Sequence, residues 1–192
     1  MVGALEFTPA IPLLPLASFF VALLVGYFAP RLLPKGGAIP GIVATAGSLV
    51  ISVVAFFAVS QGDYYAETLY TWVVGQDTFS LHFGVLVDPL SAMMLVIVSL
   101  VAFLVHVFSL GYMNDEGETG LPRYYAGLGL FTFSMLSFVI ADNLLMAFMF
   151  FELVGLCSFL LIGFHFREPG PPSAAKKAFL VTRFGDYFFL IG

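Results

Sequence analysis

Charged residues are scarce in this chain of 192 residues, because Asp, Glu, Lys and Arg together make up only 10% of it. A soluble domain usually carries about 25% charged residues, so the composition excludes an ordinary soluble globular protein. Lys and Arg number only seven and the net charge is -5. Without a basic surface to neutralise phosphates, the chain is not expected to bind nucleic acid.

Cysteine is nearly absent, since Cys157 is the single thiol. One cysteine cannot form a disulfide framework, a cysteine-ligated zinc site or an iron–sulfur site within this chain. Of the three histidines, His82 and His165 lie near the ends of apolar runs, so the paired in-helix histidines of a membrane haem site are missing as well. A quinone-reducing cytochrome is therefore disfavoured.

Long apolar runs dominate what remains, with 60% hydrophobic residues and a mean hydropathy of +1.03. Runs of about 20 residues are long enough to cross the ~30 Å hydrocarbon core as helices, and they lack the period-2 alternation of barrel strands. The sequence therefore predicts an all-α membrane protein with about six transmembrane helices. The predicted spans are Ile11 to Phe28, Ile39 to Val59, Leu86 to Met113, Tyr124 to Ile140, Asn143 to Phe164 and Ala174 to Gly192.

The basic residues outside the middle of a span all follow the odd-numbered spans. Six of the seven fall there: Arg31, Lys35, Arg123, Arg167, Lys176 and Lys177. The seventh, Arg183, lies within span six. Because cytoplasmic loops carry the excess of Lys and Arg, this distribution predicts a multi-pass protein with its N-terminus outside.

The longest loop, Gln61 to Gly84, is predicted outside and is rich in aromatic residues such as Trp72 and Phe79. We expect a short hairpin on the membrane surface, with the aromatic side chains as interfacial anchors rather than as a binding site. Asp88, just before Pro89, is expected to cap the third helix rather than to line a channel.

Three charged residues lie well inside predicted spans, Glu152 in span five and Arg183 and Asp186 in span six, whereas Lys176 and Lys177 only open span six, where Lys can reach water. Each of the three costs on the order of 3 kcal/mol to insert and needs a partner, a water cavity or a function. Arg183 and Asp186 are three residues apart, on one helical face, where they can pair. The short connection predicts spans five and six as antiparallel neighbours. The three residues suit proton transfer, and a purely structural polar cluster is the alternative.

Two further residues in the spans leave open questions. His106 in span three is a candidate proton relay, and a hydrogen bond that packs helices is the other interpretation. Gly155, followed by small residues, is expected to permit a close approach of helices.

Several segments in the second half of the chain resemble the antiporter-like chain L, called chain 5 in mitochondria, of respiratory NADH-quinone oxidoreductase (complex I). The strongest are ADNLLMAFMFFELVGLCSFLLIGFHF (Ala141 to Phe166) and AAKKAFLVTRFGDYFFLIG (Ala174 to Gly192). Upstream, VDPLSAMML, HVFSLGYM and RYYAGLGLFTFSM follow in the family's order, so the resemblance covers about Val87 to the end.

The resemblance implies the N-terminal part of an antiporter-like fold of fourteen or more helices. It implies that Glu152 is the family's essential carboxylate, and that Arg183 and Asp186 form an ion pair thought to modulate it. His106 falls on a family histidine of less certain role. Phe151 departs from the usual Trp before the glutamate, which keeps an aromatic wall and removes an N–H donor.

The resemblance also implies the function and its partners. We expect a proton-translocating subunit of the cell inner or plasma membrane, surrounded by lipid and by other membrane subunits. NADH, flavin, iron–sulfur clusters and quinone are expected in those partner subunits and no cofactor in this chain. Alternatives are the large subunit of a multi-subunit Na+/H+ antiporter and a non-transporting scaffold. We expect a single membrane domain, with the first two helices and the outer loop in residues 1–84 and the proton-path residues in 85–192.

Overall fold

A computed structural model of the chain describes residues 5–28, 34–62, 64–74, 80–114, 120–168 and 170–191. These residues contain six long helices and an antiparallel hairpin. The helices are α1 (Ala10–Phe28), α2 (Ala38–Val59), α3 (Pro89–Tyr112), α4 (Leu121–Val139), α5 (Leu144–Ile162) and α6 (Gly170–Ile191), and the strands are β1 (Tyr65–Val74) and β2 (Ser80–Val87). The predicted six-helix architecture is confirmed. The hairpin between α2 and α3 is the β structure of the described residues.

Four helical segments have the length and composition of membrane spans, namely α1, Lys35–Val59 (which contains α2), α3 and α5. The other two helices, α4 with 19 residues and α6 with 22, are long enough to span at 1.5 Å per residue. They are more polar, since α4 begins near Arg123 and α6 contains four charged residues. Both pack on less polar helices, α4 on α1 and α5, and α6 on α5.

The start of the third helix differs from the prediction. Span three was expected from Leu86, but Leu86 and Val87 pair with β1 as the last residues of β2. The helix begins at Pro89, a residue favoured at the first helical position. The Asp88 carboxylate accepts the backbone N–H of Ser91 at 2.7 Å, so its expected role as a helix cap is confirmed.

Helices α4 and α6 begin earlier than the predicted Tyr124 and Ala174. Each takes prolines into its first turn, Pro122 in α4 and Pro171 and Pro172 in α6. Because the first N–H groups of a helix have no acceptor within it, proline costs little there. These prolines therefore lie inside the starts of helices, where the sequence suggested loops.

Polar and small residues hold the N-terminal helices together. The hydroxyl of Ser48 in α2 donates to the carbonyl of Ile11 in α1 at 2.7 Å. At Gly129 of α4, an added Cβ would lie 2.9 Å from the Ser18 Oγ and 3.1 Å from the carbonyl oxygen of Pro15 in α1. Glycine at this position lets the backbones of α1 and α4 approach closely.

The hairpin is fastened to the turn between α4 and α5. Strand β2 forms a backbone hydrogen bond with this turn, because the Leu86 N–H donates to the carbonyl of Ile140 at 2.9 Å. His82 Nε2 lies 3.0 Å from an oxygen of Asp142, and the Asn143 amide donates to the His82 carbonyl at 2.7 Å. The expected hairpin is confirmed, whereas Phe79 and the side chain of Trp72 lie outside the described residues.

One apolar cluster collects the hairpin and several helix ends. It contains Leu5, Ile11, Ala55, Ala58, Val59, Val85, Val87, Ala92, Leu95, Leu136 and Ile140. The start of α1, the end of α2, the start of α3 and the end of α4 therefore meet at the hairpin end of the bundle. The basic residues Lys35, Arg123 and Arg167 lie at the opposite helix ends.

Candidate functional site

Glu152 lies in the middle of α5, about 12 Å along the helix axis from Leu144 at 1.5 Å per residue. The helix forms because an apolar run follows Asn143, whose side chain accepts the Met146 N–H at 2.8 Å as an N-cap. The Glu152 side chain is 18% exposed. A carboxylate at this depth needs a charged or polar partner.

Arg183 of α6 provides that partner, because its guanidinium forms an ion pair with the Glu152 carboxylate. The expected pairing of Arg183 with Asp186 is not found: within the described residues, no ion pair within 4.0 Å joins them. The two residues do share a face of α6, but that face meets α5, where the carboxylate of Glu152 is available. Spans five and six are thus confirmed as packed neighbours.

Aromatic rings flank the ion pair. The Arg183 guanidinium lies 4.6 Å from the centroid of the Phe179 ring, and Phe179 in turn contacts Phe159 of α5 at 5.4 Å. On the other side, Phe151 contacts Phe189 of α6 at 6.3 Å, as an aromatic wall beside the glutamate requires. The Phe179 ring is thus a cation–π partner of the guanidinium beside its ion pair with Glu152.

Asp186 is 7% exposed and lines a cavity of about 120 Å³ between α5 and α6. The hydroxyls of Ser158 and Thr182 belong to residues of the same wall. At roughly 30 Å³ per water molecule the space has the volume of a few waters, and its lining is mostly apolar apart from Asp186 and the two hydroxyls. An added Cβ at Gly155 would meet nothing within 4 Å. The expected close helix approach at Gly155 is therefore wrong, and its missing side chain leaves room for this cavity.

His106 occupies a different place, the interface between α3 and α2. Its Nδ1–H donates to the carbonyl of Ala102, one turn earlier in α3, at 2.8 Å, which leaves Nε2 as an acceptor. Nε2 is buried, has no hydrogen-bond partner among the described residues, and lies against Gly41 of α2. The structure thus brings Glu152 and Arg183 together, places Asp186 in a cavity of the same α5–α6 interface, and places His106 elsewhere.

The α5–α6 site has the chemistry of proton handling. Its carboxylates can bind and release a proton, and its guanidinium stays charged. Ser158 and Thr182 were missed by sequence reasoning; a hydroxyl within each of two neighbouring spans was the available signal. Among the residues that the structure describes, no cluster of three or more His, Cys, Asp or Glu could hold a metal ion.

Comparisons with known proteins match two stretches of this chain. A family model for the N-terminus of chain 5 of NADH-ubiquinone oxidoreductase (complex I) matches residues 72–125. A second model, for the transmembrane region of NADH:quinone oxidoreductase and Mrp antiporters, matches residues 141–192, which contain the α5–α6 site. Together the two matches cover more than half of the chain. The chain belongs to the antiporter-like subunits of complex I and its relatives.

Relatives within the antiporter-like family align along nearly the whole chain. Subunit L of the F(420)H(2) dehydrogenase of Methanosarcina mazei is 45% identical over 192 residues, which covers 97% of this chain and 26% of the relative. Subunit L of the NADH-quinone oxidoreductase of Neisseria meningitidis serogroup A is 40% identical and covers 95% of this chain and 27% of the relative. The chain therefore spans about a quarter of the length of the curated relatives it matches.

A solved structure supports the antiporter-like fold. A chain of the membrane-bound sulfane sulfur reductase, an archaeal respiratory membrane complex, superposes with a TM-score of 0.76 at 18% identity and covers 96% of this chain and 35% of that chain. The relatives and this structure also include α1 and α2. The similarity therefore also covers the residues before Val87, the position at which the sequence motifs placed its start.

Proposed function

We propose that this chain is part of a proton-translocating membrane subunit of a complex I-type enzyme. The observation that carries the proposal is the ion pair between Glu152 and Arg183, placed at the interface of α5 and α6 within the membrane-spanning part of the chain. A charged pair at that depth is costly to insert, and in membrane proteins such pairs mark ion and proton pathways.

In this proposal Glu152 holds and releases the proton, and Arg183 sets whether the carboxylate is charged. When the pair opens, the buried carboxylate loses its cation and takes up a proton; when the pair forms again, the carboxylate releases this proton toward Asp186 and the cavity beside it. His106, in the separate interface of α2 and α3, serves as a second relay whose buried Nε2 accepts a proton or a water hydrogen. Making and breaking the ion pair couples the movement of α6 to the protonation of α5.

The chain is proposed to work without a cofactor of its own. Electron transfer to quinone takes place in partner subunits that hold NADH or another donor, flavin and iron–sulfur clusters. Its free energy drives proton movement here. The positive end of the bundle, with Lys35 and Arg123, faces the cytoplasm and the N-terminus lies outside, in a plasma or inner membrane.

Glu152→Gln tests the proposal in the complete enzyme complex, because the amide keeps the size of the side chain and cannot bind and release a proton. Inverted membrane vesicles are given the electron donor, and proton uptake is followed with a pH-sensitive dye alongside the rate of quinone reduction. We expect assembly and electron transfer to persist while most of the proton uptake is lost.

Glu168→Gln is the matched control, since Glu168 is exposed in the turn after α5. It should pump like the unmodified protein. Unchanged proton uptake in Glu152→Gln would contradict the proposal and favour a non-transporting scaffold.

A second candidate is the large subunit of a multi-subunit Na+/H+ antiporter, because the family model that matches residues 141–192 includes Mrp antiporters. The same vesicles separate the two. If a Na+ gradient moves protons in the absence of an electron donor, and this movement is lost in Glu152→Gln, the result favours the antiporter. Proton movement that requires the donor favours the complex I-type enzyme.

A further inference from the structure

A second cavity lies away from the α5–α6 ion pair, at the end of the bundle that carries the basic residues. It is a cleft of about 380 Å³ between α1, α4, α5 and the start of α6. Its walls are almost entirely apolar, with Phe19 and Leu23 from α1, Leu130 from α4 and Phe159 from α5 among them.

Two cations belong to the lining of this apolar cleft, Arg123 at the start of α4 and Lys176 in α6. Both are exposed residues. Within the described ranges, neither takes part in an ion pair within 4.0 Å. The cleft therefore combines a long apolar wall with positive charge that has no anionic partner there.

The guanidinium of Arg123 is held in place at this end of the cleft. It donates to the carbonyl of Phe164 at 3.2 Å, and it lies 5.2 Å from the centroid of the Phe164 ring and 4.9 Å from that of Phe166. One of its five N–H donors is thus used, and the others remain available for an anion. A fixed guanidinium loses little further freedom on binding.

We propose that the cleft binds an anionic phospholipid, with the headgroup phosphate between Arg123 and Lys176 and an acyl chain along the apolar wall. The charge complementarity selects the ligand: a phosphate needs cations, and its tails need a surface from which water is absent. The positive-inside rule places this end in the cytoplasmic leaflet, where anionic lipids concentrate. The proposal requires a membrane-embedded chain and is independent of proton translocation.

Photolabelling in the complete complex tests the site. The complex is reconstituted in phosphatidylcholine bilayers that contain a trace of phosphatidylglycerol with a photoactivatable acyl chain, and the labelled peptides are identified by mass spectrometry. We expect labelling of the peptide that contains Phe159 to Phe166, and much weaker labelling from phosphatidylcholine with the same acyl group. An excess of inorganic phosphate should not compete.

Lys176→Gln should lower this labelling about fivefold, and Arg123→Gln with Lys176→Gln more strongly, because each cation near a membrane surface contributes a factor of that order. Lys177→Gln is the matched control, since Lys177 has the same charge and does not line the cleft. Lys176→Gln alone keeps the test valid if the double variant fails to fold.

Three results would overturn the proposal. Equal labelling by the two lipids would show a nonspecific apolar groove. Equal losses in Lys176→Gln and Lys177→Gln would show diffuse surface charge. No labelling of this peptide in the unmodified complex would show that polypeptide fills the cleft.

Discussion

The imidazole of His106 lies directly against the backbone of Gly41, so that a Cβ added to the glycine would lie 2.7 Å from the ring carbon Cδ2 and 3.1 Å from Nε2. The two residues are on neighbouring helices, α3 and α2. The absence of a side chain at Gly41 is therefore what allows a buried imidazole at this interface.

Gly41→Ala should destabilise the protein by about 1–3 kcal/mol, the usual effect of overpacking a tight interface. Thermal denaturation of the purified protein in detergent measures it. Gly111→Ala in α3 is the control, because an added Cβ there meets nothing within 4 Å and alanine favours a helix. Gly41→Ala combined with His106→Ala should lose less stability than the sum of the two single changes, because the clash is gone; additive losses would show that the added methyl group does not meet the imidazole.

The cross-helix ion pair predicts non-additive substitutions. Arg183→Gln leaves the Glu152 carboxylate without its cation, and Glu152→Gln leaves the guanidinium without its anion, so each single change should lower the denaturation temperature. The double variant should lose less than the sum, with a coupling of about 1–3 kcal/mol. Additive losses would indicate that the two side chains do not interact in the assembled protein.

The cap at Asp88 predicts a pH dependence of stability. The backbone N–H of Ser91 lowers the pKa of the Asp88 carboxyl below its ordinary value near 3.8. Its contribution is therefore complete above that value and is lost as the pH falls through the lowered pKa. Asp88→Ala should cost about 1 kcal/mol at pH 7.

Asp88→Asn provides the control for this cap, because asparagine caps nearly as well and does not titrate in this range. Stability should be followed by thermal denaturation between pH 7 and pH 3. If Asp88→Asn shows the same acid loss as the unmodified protein, groups other than Asp88 cause that loss.

The contact between His82 and Asp142 predicts the behaviour of the hairpin. Asp142→Ala removes the partner of His82 and an acceptor for the Asn143 amide, with an expected effect of up to about 1 kcal/mol because both side chains are partly exposed. Amide exchange in β2 should accelerate about fivefold. Ser60→Ala, at the exposed end of α2, should leave it unchanged; equal exchange in both variants would contradict the role of Asp142.

Much of this fold follows from the sequence, because apolar runs longer than a membrane is thick leave a helix as the only sensible structure. The cap at Asp88 follows as well, since the pattern of Asp, Pro and a hydrophobic run is local. Because a cap at Asp88 also implies that the helix begins at Pro89, the sequence contains the boundary that the expected start at Leu86 overlooked. What it does not contain is the pairing with β1 that makes Val85 to Val87 part of a strand.

The sequence predicts which residues belong to the candidate site, but it does not predict which of them form the ion pair. Depth within a run identifies Glu152, Arg183 and Asp186, since charges there are rare. Which carboxylate meets Arg183 depends on the rotation of α6 against α5, and that rotation is set by packing of side chains from both helices. His106 and Gly41 are also far apart in the sequence, so their contact leaves no local signal.

The fastening of β2 to the turn between α4 and α5 sets an order of events during biosynthesis. His82 and Asn143 are 61 residues apart. Strand β2 therefore leaves the ribosome well before the turn that contains Asn143. Strands β1 and β2 can pair as soon as both are made, but the edge of β2 at Leu86 stays open until α4 has been inserted. Closure of this end of the bundle is therefore a late step, and an arrest of translation before Ile140 would leave that strand edge unprotected.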